Sequence, residues 1–261
     1  MLGSLDPLRA AVRATSSRLV ALLSTVARPA LPAVGSWTIA DLAIHLTEAF
    51  ERYPLYLRGE ATLFDDPLDV TRHNEQVVAS GRGLSLTEAT RRIAATIDET
   101  DSLLASRAPD EPVAWHGGAL LSPASFAAVV GSEGIVHGYD LAAAENRYVP
   151  IDVGHAGLIM ANSLHLLPLY LDSNAAGGLQ ATFDVRFKGG ERRFLSLRDG
   201  RLTVQLDGER ADCVILGDPE IFLLVGYNRI GQWKPAFTGK MVTWGRKPWL
   251  ALKLPQLLAQ I

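Results

Sequence analysis

The 261-residue chain has a single cysteine, Cys213. No disulfide within the chain and no multi-cysteine metal site is open to it, and such economy suits a reducing compartment, the cytoplasm. A basic excess is also missing: 25 Lys and Arg stand against 28 Asp and Glu, a net charge of −3. That excludes nucleic-acid binding through a broad cationic face. No run approaches the ~18 uninterrupted apolar residues of a membrane span, so no membrane partner is expected. Met1 to Arg9 carries Asp6 and lacks the apolar stretch of a secretory signal. What is there, a hydrophobic fraction of 48% over this length, is enough for a full core and excludes disorder as the main state.

The chain changes character near residue 172. Before it, apolar residues recur at helical spacing. Leu8, Val12, Leu19, Leu22 and Leu23 mark a first helix, stopped by Arg28-Pro29. Thr38, with Asp41 three residues on, is an N-cap signal for a second helix, which the pattern predicts to end near Tyr53, before Pro54. Trp37 just outside this cap is placed to pack on Leu42. A third helical stretch breaks at Gly81-Arg82-Gly83 into pieces over 70–79 and 85–106, and Ser122-Pro123 opens a helix to about Ala144. One more is predicted from about Asp152 to Tyr170. After residue 172 the apolar residues alternate, as in Phe183-Asp184-Val185-Arg186-Phe187 and in Leu202, Val204 and Leu206. Asp199-Gly200 is a hairpin turn pair between two such runs. Asp218-Pro219-Glu220 opens a helix, and another is predicted around Trp249 to Leu258. The fold class is α+β. Residues 1–172 are expected to form an up-and-down helical bundle, and residues 173–261 a small α+β domain with an antiparallel sheet.

The chemistry concentrates in Gly131-Ser132-Glu133-Gly134-Ile135-Val136-His137-Gly138-Tyr139-Asp140. On a helix Glu133, His137 and Asp140 fall at i, i+4 and i+7 and share a face with Phe126, Val130 and Leu141. That face is the one turned to the core, where a carboxylate and an imidazole cost several kcal/mol unless they are paired or ligate a metal. From this helix alone, a buried ion pair and a ligand set are both open. Gly131, Gly134 and Gly138 on the same helix each cost roughly 1 kcal/mol against Ala, so close helix contact or room for a ligand is expected there. His45 sits mid-helix with Leu42 and Ala49 on its flank, and so points inward too; taken alone, it reads more readily as a hydrogen-bonded core histidine than as a ligand. His45, Glu133 and His137 together make a two-histidine, one-carboxylate set, which leaves a fourth position of a tetrahedral zinc open.

The pairing of Trp37-Thr38-x-x-Asp41-x-x-x-His45 with Glu133-x-x-x-His137-Gly138-x-Asp140 resembles the mycothiol-dependent maleylpyruvate isomerase family, whose first domain is a DinB-like four-helix metal-binding bundle. The resemblance covers essentially the whole chain and implies a C-terminal domain similar to sterol carrier proteins. It implies that His45, Glu133 and His137 hold a divalent metal, most often zinc, and that Asp140 orients an imidazole. It further implies that the thiol of mycothiol takes the open metal position and attacks a small electrophile such as maleylpyruvate. Isomerisation follows if the thiol leaves again, and S-conjugation if it stays.

The same resemblance offers Arg229, in Gly226-Tyr227-Asn228-Arg229, to hold a substrate carboxylate. A surface arginine at a helix end is the other reading. Cys213 lies in the apolar run Cys213-Val214-Ile215-Leu216 and is expected to be inert core. Trp233, Trp244 and Trp249 are expected in core or interface, and Arg246-Lys247 in solvent. His73-Asn74-Glu75 is a polar stretch that could face the cleft, while His116, His155 and His165 show no partner pattern and read as structural or exposed. A non-catalytic module that binds metal and carries an apolar ligand is the alternative from another class, and a thiol-transfer tailoring enzyme in natural-product biosynthesis is the other. The partners expected are a small-molecule thiol and a small electrophile. The sequence does not fix the oligomeric state.

Overall fold

The computed structural model describes residues 4–208 and 210–259. It separates into two compact units, Met1–Ile151 and Asp152–Ile261. The division falls upstream of the expected 172/173 boundary, because the helix at 153–163 packs on a helix near residue 220.

In the first unit, α1 (Asp6–Ser24), α2 (Ile39–Arg58), α4 (Leu86–Ser106) and α5 (Pro123–Ala144) form the bundle. α1 packs on α4 and α5, and α2 on α4 and α5. The additional helix α3 (Asp69–Ser80) packs on α2. A small hairpin of β1 (Pro32–Val34) and β2 (Trp37–Thr38) leads into α2, and a second one, β3 (Val113–Ala114) with β4 (Leu120–Leu121), leads into α5.

The capping signals work as expected. Thr38 Oγ1 accepts from the Asp41 N–H while Asp41 Oδ2 accepts from the Thr38 N–H, and Ser122 Oγ accepts from the Ser125 N–H before α5. Pro54 does not stop α2. The helix runs through it to Arg58 and ends on Gly59 in the left-handed region, φ 73°. A proline inside a helix costs ~3 kcal/mol. Burial of Tyr53, Tyr56 and Leu57 around it, each no more than 5% exposed, offsets that by ~1.5–3 kcal/mol per large side chain. α5 is buried nearly all round, with Phe126 and Ala127 fully inaccessible, so it is the element best placed to carry an interior site.

The second unit begins with α6 (Val153–Ser163), a 3-10 turn at Leu164–Tyr170 and the short α7 (Ser173–Ala176). The predicted single helix to Tyr170 therefore tightens after Ser163, ahead of Pro168. Five strands follow: β5 (Ala181–Phe187), β6 (Arg192–Arg198), β7 (Arg201–Gln205), β8 (Cys213–Gly217) and β9 (Met241–Gly245), with α8 (Pro219–Gly226) and α9 (Trp233–Phe237) between the last two. The sheet order is β7-β6-β5-β8-β9. Three pairings are antiparallel, but β5 and β8 run parallel, so the sheet is mixed rather than purely antiparallel. Asp199 and Gly200, both at positive φ, make the expected β6–β7 turn. Phe183, Val185, Leu195, Leu197 and Ile215 are at most 2% exposed and form the covered face of the sheet, where Phe222 of α8 packs edge-on to Phe187. The tail forms 3-10 turns at Pro248–Leu252 and Leu254–Leu257 in place of the predicted helix.

The three tryptophans expected in core or interface are exposed, Trp233 by 57%, Trp244 by 43% and Trp249 by 57%. Trp244 sits on the edge strand β9, which has no further strand to cover it.

Candidate metal centre

The bundle brings together residues 88 positions apart in the chain. His45, from the middle of α2, and Glu133 and His137, one turn apart on α5, each offer a ligand atom, and the three atoms lie within 4.8 Å of one another. His45 Nε2 is 3.5 Å and His137 Nε2 is 3.3 Å from Glu133 Oε2. Donors at ~2.0–2.2 Å from a tetrahedral zinc stand about 3.3–3.5 Å apart, so this spacing fits a shared ion better than it fits hydrogen bonds. Glu133 Oε2 is buried and, among the described residues, has no donor in hydrogen-bonding geometry. An acceptor left in this state costs ~1–3 kcal/mol or more unless a cation satisfies it. Both imidazole side chains are 9% exposed and the Glu133 side chain 21%, so the cluster is sheltered. The donor set, two nitrogens and one oxygen, suits zinc and similar divalent ions.

The two imidazoles are held differently. Asp140, one turn beyond His137 and 4% exposed, places Oδ2 2.9 Å from His137 Nδ1. With Nδ1–H donating to this carboxylate, the Nε2 lone pair faces Glu133 and the ligand position. His45 Nδ1 has no hydrogen-bond partner among the described residues. Its ring lies instead against the Trp37 indole, with centroids 5.2 Å apart, and the Trp37 Nε1–H is likewise buried with no partner among the described residues. Trp37 thus meets the His45 ring rather than serving only as an apolar staple.

The electrostatics express the same pairing. Burial raises the Glu133 carboxyl, but the imidazoles of His137 and His45 outweigh it and hold the group well below the usual carboxylate range. Burial lowers the His137 imidazole, but Glu133 and Asp140 outweigh that and push it up to about 9. A metal ion beside Glu133 would take the place of the His137 proton that these groups favour.

Arg229 follows α8 in the second unit, and its Nη1 donates to the Tyr227 carbonyl at 2.7 Å. Cys213 is inaccessible, and burial pushes its thiol up to about 11, which removes it as a nucleophile at neutral pH. Arg246 and Lys247 are not simply solvated, since both pair with Asp212, at 2.5 and 3.6 Å.

His73 Nε2 is 2.8 Å from Glu48 Oε1. His116, without a partner pattern in the sequence, is 1% exposed and well bonded. The Phe64 N–H donates to its Nδ1 at 3.0 Å, which leaves Nε2–H to donate to the Tyr56 hydroxyl at 2.9 Å. Its partners lie 60 and 52 residues away, and nothing in the local spacing announces them.

Comparison with known proteins agrees with this architecture. No curated protein matches the chain. A solved structure of the mycothiol-dependent maleylpyruvate isomerase superposes with a TM-score of 0.57 over 92% of this chain and 93% of its own, at 12% identity. A histidine-to-alanine mutant of a mycothiol-dependent maleylpyruvate isomerase superposes at 0.56 with the same coverage and identity. At that identity the likeness shows the fold. The profile of the mycothiol maleylpyruvate isomerase N-terminal domain matches residues 8–142, which span all four bundle helices' packing core and every member of the His45, Glu133, His137 and Asp140 cluster. On that match the chain belongs to the mycothiol-dependent maleylpyruvate isomerase family.

Proposed function

We propose that this protein is a zinc-dependent enzyme that uses mycothiol to isomerise, or to S-conjugate, a small electrophile such as maleylpyruvate. The observation that carries the reading is the convergence of His45 Nε2, Glu133 Oε2 and His137 Nε2, with His137 oriented by Asp140. These three residues would hold the ion. When bound, a divalent cation stabilises a thiolate over a thiol, so the co-substrate's sulfur is nucleophilic at neutral pH.

The protein's own groups do the rest. Asp140 keeps the His137 proton on Nδ1 and its Nε2 free for ligation. Arg229, in this reading, receives a substrate carboxylate with its guanidinium fork. The sulfur of the co-substrate adds to the conjugated double bond, the former double bond rotates as a single bond, and expulsion of the thiolate restores the alkene with opposite geometry. In the conjugating variant the adduct is protonated and released. A single inaccessible cysteine suits the cytoplasm, where a thiol co-substrate stays reduced.

The test is turnover. Zinc-loaded protein is mixed with mycothiol and maleylpyruvate, and the alkene geometry and adduct mass are followed by NMR and mass spectrometry. Catalytic cis–trans conversion or adduct formation, dependent on both mycothiol and zinc, is expected. Ligand retention without turnover over a panel of α,β-unsaturated acids would establish the carrier module instead.

A further inference from the structure

We propose that the open face of the second unit's sheet is a binding site for a flat organic dianion, a compound with two acid groups on a planar apolar body. None of the residues that line it belongs to the metal cluster, and the proposal does not depend on that cluster. A groove of about 620 Å³ lies on this face, lined by Arg186, Arg192, Arg210 and Arg246 together with Phe194 and Trp244. Small-molecule sites commonly fall at ~300–1,000 Å³.

The sheet register explains how the groove arises. Asp184 and Arg186 of β5 alternate with Phe183, Val185 and Phe187, which face the covered side. Asp184 lies opposite Phe194 and beside Val214, which in turn pairs with Trp244. Arg186 lies directly opposite Arg192. Two like charges in direct cross-strand register are destabilising, so this pairing needs a reason.

Part of the reason is Asp184, which is 2% exposed and takes both cations. Arg186 donates to its Oδ2 from Nε at 3.0 Å and from Nη2 at 2.7 Å. Arg192 donates from Nε at 2.7 Å and from Nη2 at 2.6 Å. A guanidinium carries five N–H donors, and Asp184 uses only the Nε–Nη2 edge of each. The Nη1 edges are fixed in direction and turned away from the carboxylate, which is the pre-organisation that anion recognition requires.

The charge count points the same way: four arginines line the groove against Asp184 and Asp207, and Asp212, which Arg246 and Lys247 share, adds one carboxylate for one further cation, so an excess of two positive charges remains, which matches a dianion. The walls then select a flat body. The Arg192 guanidinium lies 4.3 Å from the Phe194 ring centroid, and that of Arg186 lies 5.5 Å from the Trp244 ring. Phe194 is 7% exposed beneath Arg192, so the stacking surface is that part of Trp244, 43% exposed, which Arg186 leaves uncovered. As a stabilising device alone, such a network is poor, since apolar replacements of sheltered ion pairs are often neutral or better.

The test is calorimetric titration of the full-length, metal-free protein with phthalate, using benzoate and inorganic phosphate as controls. Expected is saturable one-to-one phthalate binding that weakens with salt. Benzoate, with one acid group, and phosphate, with no planar body, should each bind about tenfold or more weakly. Arg186→Gln leaves Arg192 to neutralise Asp184, and Trp244→Ala removes none of the four hydrogen bonds to Asp184. Each should weaken phthalate by about tenfold with the melting transition retained. His45→Ala should bind phthalate as the parent does. No saturable phthalate binding, phosphate binding as tightly as phthalate, binding unchanged in both groove variants, or binding lost in His45→Ala would each overturn the proposal.

Discussion

Glu133 in the helical unit and Asp184 on the sheet are both sheltered carboxylates set between two nitrogen bases, yet they offer opposite coordination chemistry. The bases beside Glu133 are imidazoles, a side chain that can give up its proton and present a lone pair. Those beside Asp184 are guanidiniums, which keep their protons at any working pH. Glu133 Oε2 stands 3.3 and 3.5 Å from its neighbours and, among the described residues, makes no hydrogen bond, whereas Asp184 accepts four. The first arrangement leaves electron pairs pointing at a common centre. The second leaves only donors pointing outward. The type of base, rather than the amount of charge, decides which cluster can receive a cation and which an anion.

The largest effect should come from breaking this contrast at the ligands. His45→Ala or His137→Ala should drop bound divalent ion from near one per chain to near none, as elemental analysis reads it. Asp184→Asn should leave ion content unchanged while lowering stability by about 2 kcal/mol, because two guanidiniums lose their anion. If Asp184→Asn strips the ion, or the histidine variants keep it, the two clusters do not differ in the way argued.

A smaller effect is expected one step out. Asp140 fixes the tautomer of His137, while His45 has no such partner among the described residues. Asp140→Asn should fold and bind zinc about 10–100-fold more weakly, measured by competition with a chelator. If Asp140 only ties down its own helix, the melting temperature will fall and zinc affinity will stay the same.

Much of this centre was legible in the sequence because its signals are local. Glu133, His137 and Asp140 lie within one helix at spacings that force a common face, and Thr38 with Asp41 fixes where α2 begins, hence which way His45 points. The parts that were not legible depend on distant partners. Pro54 stays inside α2 because Tyr53, Tyr56 and Leu57 find buried places. The strand at Cys213–Gly217 pairs in parallel with a segment 30 residues upstream, so no turn marks it. Trp244, expected in core or interface, is not in the core: it is exposed on the sheet's edge strand.

His116 tests the same distinction between bases through pH. Burial, followed by the charges of Arg52 and His73, pushes this imidazole down to about 4 from its usual 6.5. The unfolded chain therefore takes up a proton at higher pH than the folded one. The stability this group contributes is fully present above pH 6.5 and is lost as pH falls towards 4. The melting temperature should decline by several degrees over that window, and less steeply in His116→Gln, where nothing titrates at this position. Equal slopes in the two proteins would show that His116 is not a source of the acid sensitivity.

The smallest effects separate two glycines of α5 that the sequence could not tell apart. A Cβ on Gly134 would meet the Thr15 carbonyl carbon of α1 at 2.9 Å and Thr15 Cβ at 3.1 Å. One of these is backbone, so Gly134→Ala must push α1 and α5 apart and should cost ~1–3 kcal/mol. A Cβ on Gly138 would meet only Leu22 Cδ1, at 3.7 Å, an ordinary contact. Gly138→Ala should therefore gain most of the ~1 kcal/mol by which Ala exceeds Gly in a helix interior. Thermal melts should shift in opposite directions. Gly138 adjoins His137, so ion content must be read on the same samples: a stabilised Gly138→Ala protein that keeps its ion assigns close helix packing to Gly134 and not to Gly138. A Gly138→Ala protein that is stabilised but loses its ion would show instead that this glycine makes room for what His137 binds.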